Sequence, residues 1–162
     1  MTESQTYNAL FLCTGNSARS QMAEALLNHM SKGRFRAFSA GSHPAATVQP
    51  LAARLIGELG QDASRLRPKS WDEFAGSGAP KMDFIITVCD NAAGEACPVW
   101  AGHPALAHWG VHDPAKNPGD PKGFKDAWLT LRRRIELLLA LPLEKLDQLA
   151  REQELRLIGK EV

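Results

Sequence analysis

The chain has 162 residues, which is the length of one ordinary domain. Hydrophobic residues make up 44% of it and charged residues 23%, which is typical of globular proteins and excludes the disordered and fibrous classes. The net charge of +1 gives no electrostatic signature of binding to nucleic acids or to anionic membranes, and no apolar run is long enough to span a bilayer.

The N-terminus and the cysteines together predict the cellular compartment. The first six residues carry no basic region and no long apolar stretch, so they are not expected to form a signal peptide. Three cysteines are an odd number, so they cannot all pair within the chain. We therefore expect a cytoplasmic protein whose thiols are kept for reactivity.

Strand and helix patterns alternate along most of the chain. This alternation predicts an α/β fold with a parallel sheet and helices on both faces. Residues 1–162 are expected to form a single domain, in which residues 142–162 are a C-terminal helical extension. In chain order the predicted elements are a strand Asn8–Leu12, a helix Ala18–His29, a strand Phe35–Ala40, a helix Leu51–Leu59 introduced by Pro50, strands Asp83–Val88 and Ala105–Val111, a loop Pro114–Gly123, and helices Phe124–Leu141 and Leu143–Leu157 separated by Pro142.

Three reactive side chains follow the ends of predicted strands. Cys13 and Cys89 come directly after two buried strands, and Asp113 follows the weaker fourth strand. In parallel α/β sheets, ligands bind beyond the carboxyl ends of the strands. We therefore expect these three side chains to share one site.

The segment from Cys13 to Ser20 combines a strand end, a short polar loop and a helix start. Backbone N–H groups in such a loop form a concave nest that binds tetrahedral oxyanions. The helix N-terminus and Arg19 both favour the thiolate of Cys13, and Ser20 is expected to donate a hydrogen bond to it. The predicted oxyanion contacts come from Thr14, Gly15, Asn16, Ser17, Ala18, Arg19 and Ser20.

A plainer interpretation of this segment is a buried structural Cys13 with Arg19 on a solvated first helical turn. The spacing of the two residues alone does not exclude it. The preceding strand, the following helix, Gly15 and Ser20 together favour the oxyanion loop instead.

Four segments carry a family resemblance. They are the run from Leu10 to Glu24, the tripeptide Ser39-Ala40-Gly41, Cys89 with Cys97, and Asp113-Pro114. Together these segments resemble the low-molecular-weight protein tyrosine phosphatase family and, within it, the thiol-dependent arsenate reductases. The resemblance covers about residues 8–140 and implies a four-stranded parallel sheet flanked by helices.

Asp113 precedes a proline, and such an aspartate often serves only to stabilise a turn. Reactions at a tetrahedral oxyanion need an acid that protonates the leaving oxygen. The general acid of the family is an aspartate in an Asp-Pro pair, and Asp113-Pro114 matches it. The resemblance therefore implies that Asp113 is the general acid.

Cys89 and Cys97 are separated by seven residues. Two structural cysteines or half of a zinc site are the alternatives, but zinc motifs favour shorter spacings and no second ligand pair follows. The five histidines form no metal signature, so no metal is expected. Two thiols that close a disulfide after local rearrangement fit the spacing better.

The resemblance implies a thiol relay that reduces arsenate to arsenite. Cys13 attacks arsenate while Asp113 protonates the leaving oxygen. Cys89 then attacks Cys13, which releases arsenite and leaves a Cys13–Cys89 disulfide. Cys97 moves this bond to Cys89–Cys97 by exchange, and an external thiol donor, either thioredoxin or a glutaredoxin/glutathione system, reduces it.

Some members of the family bind potassium beside the loop through Asn, Glu, Ser and Asp side chains. Asn16, Glu24 and Ser39 match the first three of these ligands. The position of the aspartate aligns with Trp71, which argues against a potassium site in this chain.

Two further positions depart from the family pattern. Members that hydrolyse phosphotyrosine place aromatic residues after the Asp-Pro pair, whereas Ala115, Lys116 and Asn117 follow here, which argues against a phosphotyrosine substrate. The best-known thioredoxin-coupled members have six residues between the last two cysteines, not seven, so the electron donor stays open.

An arsenate reductase that acts as a monomer without a cofactor is therefore the leading hypothesis. The alternatives are a phosphatase in which Cys89 and Cys97 protect Cys13 from oxidation, and a thiol sensor without enzymatic activity. The arginines Arg132–Arg134 are expected on the solvated face of an amphipathic helix rather than in a nucleic-acid site.

Overall fold

A parallel sheet lies at the centre of the fold. The computed structural model describes residues 6–76, 78–89, 100 and 102–160. The sheet consists of β1 (Tyr7–Cys13), β2 (Phe35–Gly41), β3 (Phe84–Thr87) and β4 (Ala105–His108). The spatial order is β2-β1-β3-β4 and all three pairings are parallel, which confirms the predicted fold class.

The α-helices follow the strands as the alternation predicts. Within the described ranges they are α1 (Arg19–Met30), α2 (Pro50–Glu58), α3 (Pro121–Leu139) and α4 (Gln148–Ile158). Short 3-10 helices lie at Ala63–Arg65, Trp71–Phe74, Pro114–Lys116 and Leu143–Lys145. None of the helices in these ranges is long and apolar enough to cross a membrane.

The side chains of β1 are buried on both faces of the sheet. One set of alternate residues, from Tyr7 to Cys13, faces the main apolar cluster, to which all four helices contribute. Leu10 and Leu12 face a smaller cluster on the opposite side, which the 3-10 helix Trp71–Phe74 covers. Burial on both faces explains why the strand is an almost continuous apolar run.

The register of the sheet places the ends of the strands together. Leu12 of β1 is paired with Thr87 of β3, and Thr87 is paired with His108 of β4. The pairing continues beyond β3, because the Val88 amide donates to the Leu12 carbonyl at 2.9 Å. As a result, Cys13 and the residue after Val88 leave the sheet side by side.

Two aspartates set helix starts that differ from the predicted ones. Helix α3 begins at Pro121, earlier than expected, because the Asp120 side chain caps it and proline suits the first helical turn. Helix α4 begins at Gln148 rather than Leu143, because Asp147 is its N-cap. The segment predicted as a loop before α3 is therefore partly helical.

Helix α4 covers the edge strand β4. The Leu106 amide donates to Glu152 Oε2 at 2.9 Å, and Arg156 Nε donates to the Leu106 carbonyl at 3.3 Å. The buried Trp109 indole donates to the Leu155 carbonyl at 2.9 Å. Side chains of α4 thus take the edge hydrogen bonds that a further strand would otherwise form.

The three arginines of α3 have different environments. Arg132 and Arg133 are exposed and lie within ion-pair distance of Glu136, as expected of a solvated face. Arg134 is only 6% exposed, so the prediction of a solvated side chain is wrong for this residue. Its guanidinium donates to the carbonyl of Gly110, in the segment after β4.

Candidate active site

The loop between β1 and α1 is held from one side through its carbonyl groups. In a trans peptide the C=O and the following N–H point in opposite directions. The amides after these carbonyls therefore point away from segment 43–49, toward the inner side of the loop. The bonds are His43 N to Thr14 O at 2.9 Å, Ala45 N to Gly15 O at 2.9 Å and Gln49 N to Ser17 O at 2.8 Å.

The amides on the inner side are available to an anion. Within the described part of the chain, no carbonyl accepts from the amides of Gly15, Asn16 or Ala18. Convergent N–H groups at the start of a helix carry partial positive charge and bind tetrahedral oxyanions. The loop thus has the backbone orientation that the sequence predicts.

Asn16 holds the shape of this loop from within. It is fully buried, and its backbone has a φ of 51°, a left-handed conformation that asparagine tolerates better than most residues. Its side-chain oxygen accepts from the Lys69 amide at 2.9 Å and from Gln21 Nε2 at 3.0 Å. Asn16 was predicted only as an oxyanion contact, and its partners Gln21 and Lys69 were not among the predicted site residues.

Ser20 has a different contact from the predicted one. Its hydroxyl oxygen accepts from Asn16 Nδ2 at 2.8 Å, and both side chains are buried. This bond leaves the Ser20 hydroxyl hydrogen available to an acceptor. A hydrogen bond from Ser20 to Cys13 stays a prediction.

Gly41, which the sequence singles out only as part of the family resemblance, positions β2 against the start of the loop. It pairs with Cys13 across β1 and β2, and its amide donates to the Lys69 carbonyl at 2.8 Å. A Cβ at Gly41 would lie 2.4 Å from the Thr14 carbonyl oxygen, which real Cβ atoms do not tolerate. Only glycine therefore lets β2 lie this close to the start of the loop.

The thiols of Cys13 and Cys89 lie at hydrogen-bonding distance from each other, and both residues are buried. The hydrogen bond with Cys89 and burial raise the pKa of Cys13, while Arg19 and the Thr14 amide lower it. Arg19 thus acts as predicted, but the net direction is opposite to the expected bias toward a thiolate. Two neighbouring thiols do not both ionise readily, because like charges repel at short range.

Thr14 contacts the second cysteine. Its hydroxyl oxygen lies 3.6 Å from the Cys89 sulfur, within hydrogen-bonding distance for sulfur. The sequence analysis placed Thr14 in the oxyanion loop only. Its position between the loop and Cys89 connects the anion site with the second thiol.

Arg19 reaches from α1 across the site to the loop that follows β4. Its Nη1 donates to the Val111 carbonyl at 2.9 Å, and its Nη2 lies 3.6 Å from Asp113 Oδ1. The guanidinium is largely buried, at 13% side-chain exposure. Anchoring at one nitrogen orients the remaining N–H groups, which suits them to bind a tetrahedral anion.

Asp113 stabilises a turn, as the plainer of its two interpretations predicts. Its Oδ1 accepts from the Ala115 amide at 2.9 Å and caps the 3-10 helix that starts at Pro114. The contact with Arg19 also involves Oδ1. Neither contact involves Oδ2, and the role of Asp113 as general acid stays a prediction.

An open cavity of about 440 Å³ lies over these groups. Positively charged or polar groups dominate its lining, which fits a small anion rather than an aromatic ring. Lys116 occupies the wall where phosphotyrosine-specific members are expected to carry an aromatic residue. The lining residues are Arg19, Cys89, Gly110, Val111, His112, Asp113 and Lys116.

A lysine ammonium lies beside two of the residues that match the potassium ligands of the family. Lys69 Nζ is 3.9 Å from Glu24 Oε1 and 3.5 Å from the Ser39 hydroxyl, which itself donates to Glu24 at 2.8 Å. Burial raises the pKa of Glu24 and lowers that of Lys69. Lys69 thus supplies a positive charge within the chain at this position, and the absence of a potassium site stays a prediction.

Four of the five predicted catalytic or relay residues come together at one edge of the sheet. They are Cys13, Arg19, Cys89 and Asp113: the two thiols share a hydrogen bond, and Arg19 lies within ion-pair distance of Asp113. Cys97 lies outside the described residues, so its role stays a prediction.

Comparison with known proteins identifies the family. Residues 8–154 match low molecular weight phosphotyrosine protein phosphatases, and the chain belongs to this family. The arsenate reductase of Shouchella clausii is 36% identical over 123 residues, which is 76% of this chain and 83% of that protein. The similarity to this relative therefore extends over most of both proteins.

Two solved structures have a similar fold. The arsenate reductase of Archaeoglobus fulgidus has a TM-score of 0.65 and 31% identity, with 82% of this chain and 99% of that chain covered. The thioredoxin-dependent arsenate reductase of Corynebacterium glutamicum has a TM-score of 0.59 and 27% identity, with 83% and 61% covered.

Proposed function

We propose that the chain is an arsenate reductase that converts arsenate to arsenite with electrons from its own thiols. The observation that carries this proposal is the contact between the Cys13 and Cys89 thiols beneath an oxyanion-binding loop. Hydrolysis requires only one nucleophilic thiol. Reduction of arsenate requires two electrons, which two thiols supply when they form one disulfide.

The first step is capture of arsenate. The loop amides and the Arg19 guanidinium bind its oxygens, and the Cys13 thiolate attacks the arsenic atom. Asp113 donates a proton to the departing oxygen, which leaves as water or hydroxide. A covalent Cys13–arsenic(V) adduct results, and no electrons have yet been transferred.

The second step is the reduction. The Cys89 thiolate attacks the Cys13 sulfur, so a sulfur–sulfur bond forms while the sulfur–arsenic bond breaks. The electron pair of the broken bond stays on arsenic, which leaves as arsenite. The proximity of Thr14 to the Cys89 sulfur supports this step, because a hydroxyl donor stabilises the attacking thiolate.

The third step moves the disulfide to the surface. We propose that Cys97 attacks Cys89, which releases the Cys13 thiolate and leaves a Cys89–Cys97 disulfide for the donor. Thioredoxin is the proposed donor, because one structural relative is a thioredoxin-dependent arsenate reductase. A glutaredoxin/glutathione system is the alternative, and either donor belongs to the reducing cytoplasm.

Phosphatase activity is the second candidate function. The family match and the shared loop chemistry favour it, since phosphate and arsenate have the same shape and charge. Lys116 in the cavity wall argues against an aryl group that needs an aromatic surface. We therefore propose slow hydrolysis of small phosphomonoesters as a side activity.

Paired cysteine variants test the proposed function. Cys89→Ser should keep aryl phosphate hydrolysis and lose arsenate reduction, because hydrolysis needs only Cys13, the loop with Arg19, and Asp113. Cys97→Ser should release about one arsenite per enzyme molecule and then stop with a Cys13–Cys89 disulfide. Arsenite is quantified in single-turnover assays, and the disulfide is located by peptide mapping.

Both donor systems are supplied in parallel in steady-state assays with NADPH. Catalytic reduction of arsenate by the Cys89→Ser, Cys97→Ser double variant would contradict the relay. A wild-type protein that hydrolyses phosphomonoesters but produces no arsenite would show that the phosphatase alternative is correct.

A further inference from the structure

Arg134 is a buried arginine outside the site described above. It belongs to α3 and lines a second cavity of about 460 Å³, whose other polar lining residues include Asp126, Thr130 and Lys160. Burial lowers its pKa, so the surroundings oppose the charged form of this side chain. A guanidinium in such a place requires compensating hydrogen bonds.

The second cavity and the catalytic cavity share one wall. This wall is the segment Gly110–His112, which contributes to the lining of both. From the second cavity, Arg134 Nη1 donates to the Gly110 carbonyl at 2.9 Å. From the catalytic cavity, Arg19 Nη1 donates to the Val111 carbonyl at 2.9 Å.

The shared wall is also fixed to the sheet next to the reactive thiol. The Val111 amide donates to the Val88 carbonyl at 3.1 Å, directly before Cys89. The wall continues into Asp113, the proposed general acid. A change in the position of Gly110 should therefore shift both the Val111 carbonyl, which binds Arg19, and the Asp113 carboxyl group.

We propose that Arg134 is a positioning residue, which holds the segment from Gly110 to Asp113 so that Arg19 and the general acid face the bound oxyanion. The proposal rests on the proposed function only for the effect on arsenate reduction. The effect on hydrolysis does not depend on it, because hydrolysis also uses Arg19 and Asp113. Loss of Arg134 should displace the proton donor Asp113, because Asp113 belongs to this segment. Arg19 lies on α1 and should still bind the anion directly. We therefore expect turnover to fall more than anion affinity.

The test compares Arg134→Ala with Arg133→Ala, an exposed control on the same helix. Arg134→Ala should lower kcat about 10- to 100-fold for both aryl phosphate hydrolysis and arsenate reduction. The inhibition constant of inorganic phosphate should change much less. Methylguanidinium should restore part of the kcat, since the second cavity gives it access to the space that the side chain leaves.

Arg133→Ala should keep the wild-type kcat and should not respond to methylguanidinium. If Arg134→Ala does not fold, Arg134→Lys keeps the charge without the planar fork, and a lowered kcat with little change in phosphate inhibition is expected. Wild-type kcat in either Arg134 variant would overturn the proposal, and so would a loss in Arg134→Ala that methylguanidinium does not restore. Failure of the proposed function shows separately, as absent arsenite production by the wild type.

Discussion

At the residue scale, the ionisation of Cys13 is controlled by groups that act in opposite directions. Cys89 and burial raise its pKa, and Arg19 and the Thr14 amide lower it. Cys89, which acts second in the proposed relay, therefore opposes the ionisation of Cys13, which acts first. Together the two cysteines hold one negative charge more readily than two.

Removal of the Cys89 thiol should lower the pKa of Cys13. We expect Cys13 in Cys89→Ala to react with iodoacetamide at lower pH than Cys13 in the matched protein that keeps Cys89. Both proteins carry Cys97→Ser, so that the measured alkylation does not include the third cysteine. A Cys13 pKa that is unchanged or higher in Cys89→Ala would show that the second thiol does not restrain the first.

Asp113→Asn should separate turnover from binding. The amide keeps the size of the side chain and can still cap the 3-10 helix through its oxygen, but it cannot donate the proton that the leaving oxygen needs. We expect kcat to fall by about 10²- to 10⁴-fold with a much smaller change in phosphate inhibition. Steady-state kinetics over a range of pH measure both, and an unchanged kcat would remove Asp113 from the mechanism.

At the element scale, one partly buried ion pair lies where β2, α1 and the segment before Trp71 meet. Ser39 of β2 and Glu24 of α1 meet the Lys69 ammonium, and the Lys69 amide also supports Asn16 in the loop. Burial raises the pKa of Glu24, and Lys69 lowers it. The pair therefore joins two secondary-structure elements to the anion site.

Lys69→Met should destabilise the fold in a pH-dependent way. At neutral pH it leaves a buried Glu24 carboxylate without its cation, at a cost of about 1–3 kcal/mol. The pKa of Glu24 then rises further in the folded state, so the folded state binds its proton more tightly than the unfolded state does. The penalty should therefore shrink as the pH falls and Glu24 becomes protonated.

Denaturant unfolding at several pH values measures this effect. The double variant Lys69→Met, Glu24→Gln is the control, because it removes the charge that Lys69 neutralises. Its stability should lie above that of Lys69→Met at neutral pH. Equal pH dependence in the two variants would contradict the assignment of the penalty to Glu24.

At the scale of the whole molecule, the C-terminal helix contributes to the same core as the sheet. Leu155 and Ile158 of α4 belong to the main apolar cluster, and the Trp109 indole donates to the Leu155 carbonyl. A Cβ at Gly159 would lie 2.3 Å from the His108 carbonyl oxygen. We propose on this basis that residues 142–162 are part of one domain and not a separate appendage.

Leu155→Ala tests this proposal. Deletion of a buried leucine side chain costs about 2–5 kcal/mol, and in one domain the loss affects the single cooperative unfolding transition. Leu157→Ala, at an exposed leucine of the same helix, is the matched control and should change stability little. Two separate transitions in calorimetry, with only one shifted, would indicate that α4 unfolds independently.

Local patterns account for most of the elements and for the oxyanion loop. The apolar run of β1, the polar loop after Cys13 and the start of α1 are contiguous, so their residues determine one another's conformation. The fold class could be predicted because the alternation of strand and helix patterns is likewise a local property of the chain. The start of α3 was missed because Asp120-Pro121 lies in a segment rich in proline and glycine, where a helix cap resembles a turn.

The side chains that are chemically suited to the site can be read from the chain: a candidate nucleophile with an anion loop, a candidate Asp-Pro acid and two further thiols. Which of them meet depends on long-range packing. The Thr14–Cys89 contact joins residues 75 positions apart, and Arg19 binds a carbonyl 92 positions away. Such contacts depend on strand order and register, which the periodicity of a single segment does not encode.

The same reason explains the residues that sequence reasoning missed or misplaced. Gly41 matters because β2 passes within van der Waals distance of the loop, and Lys69 matters because its ammonium reaches Glu24. Arg134 shares a helix and a charge with Arg133, and only the packing of α3 against the Gly110 segment buries one and exposes the other. Side-chain chemistry is readable from the chain, whereas the partner of each side chain is set by long-range packing.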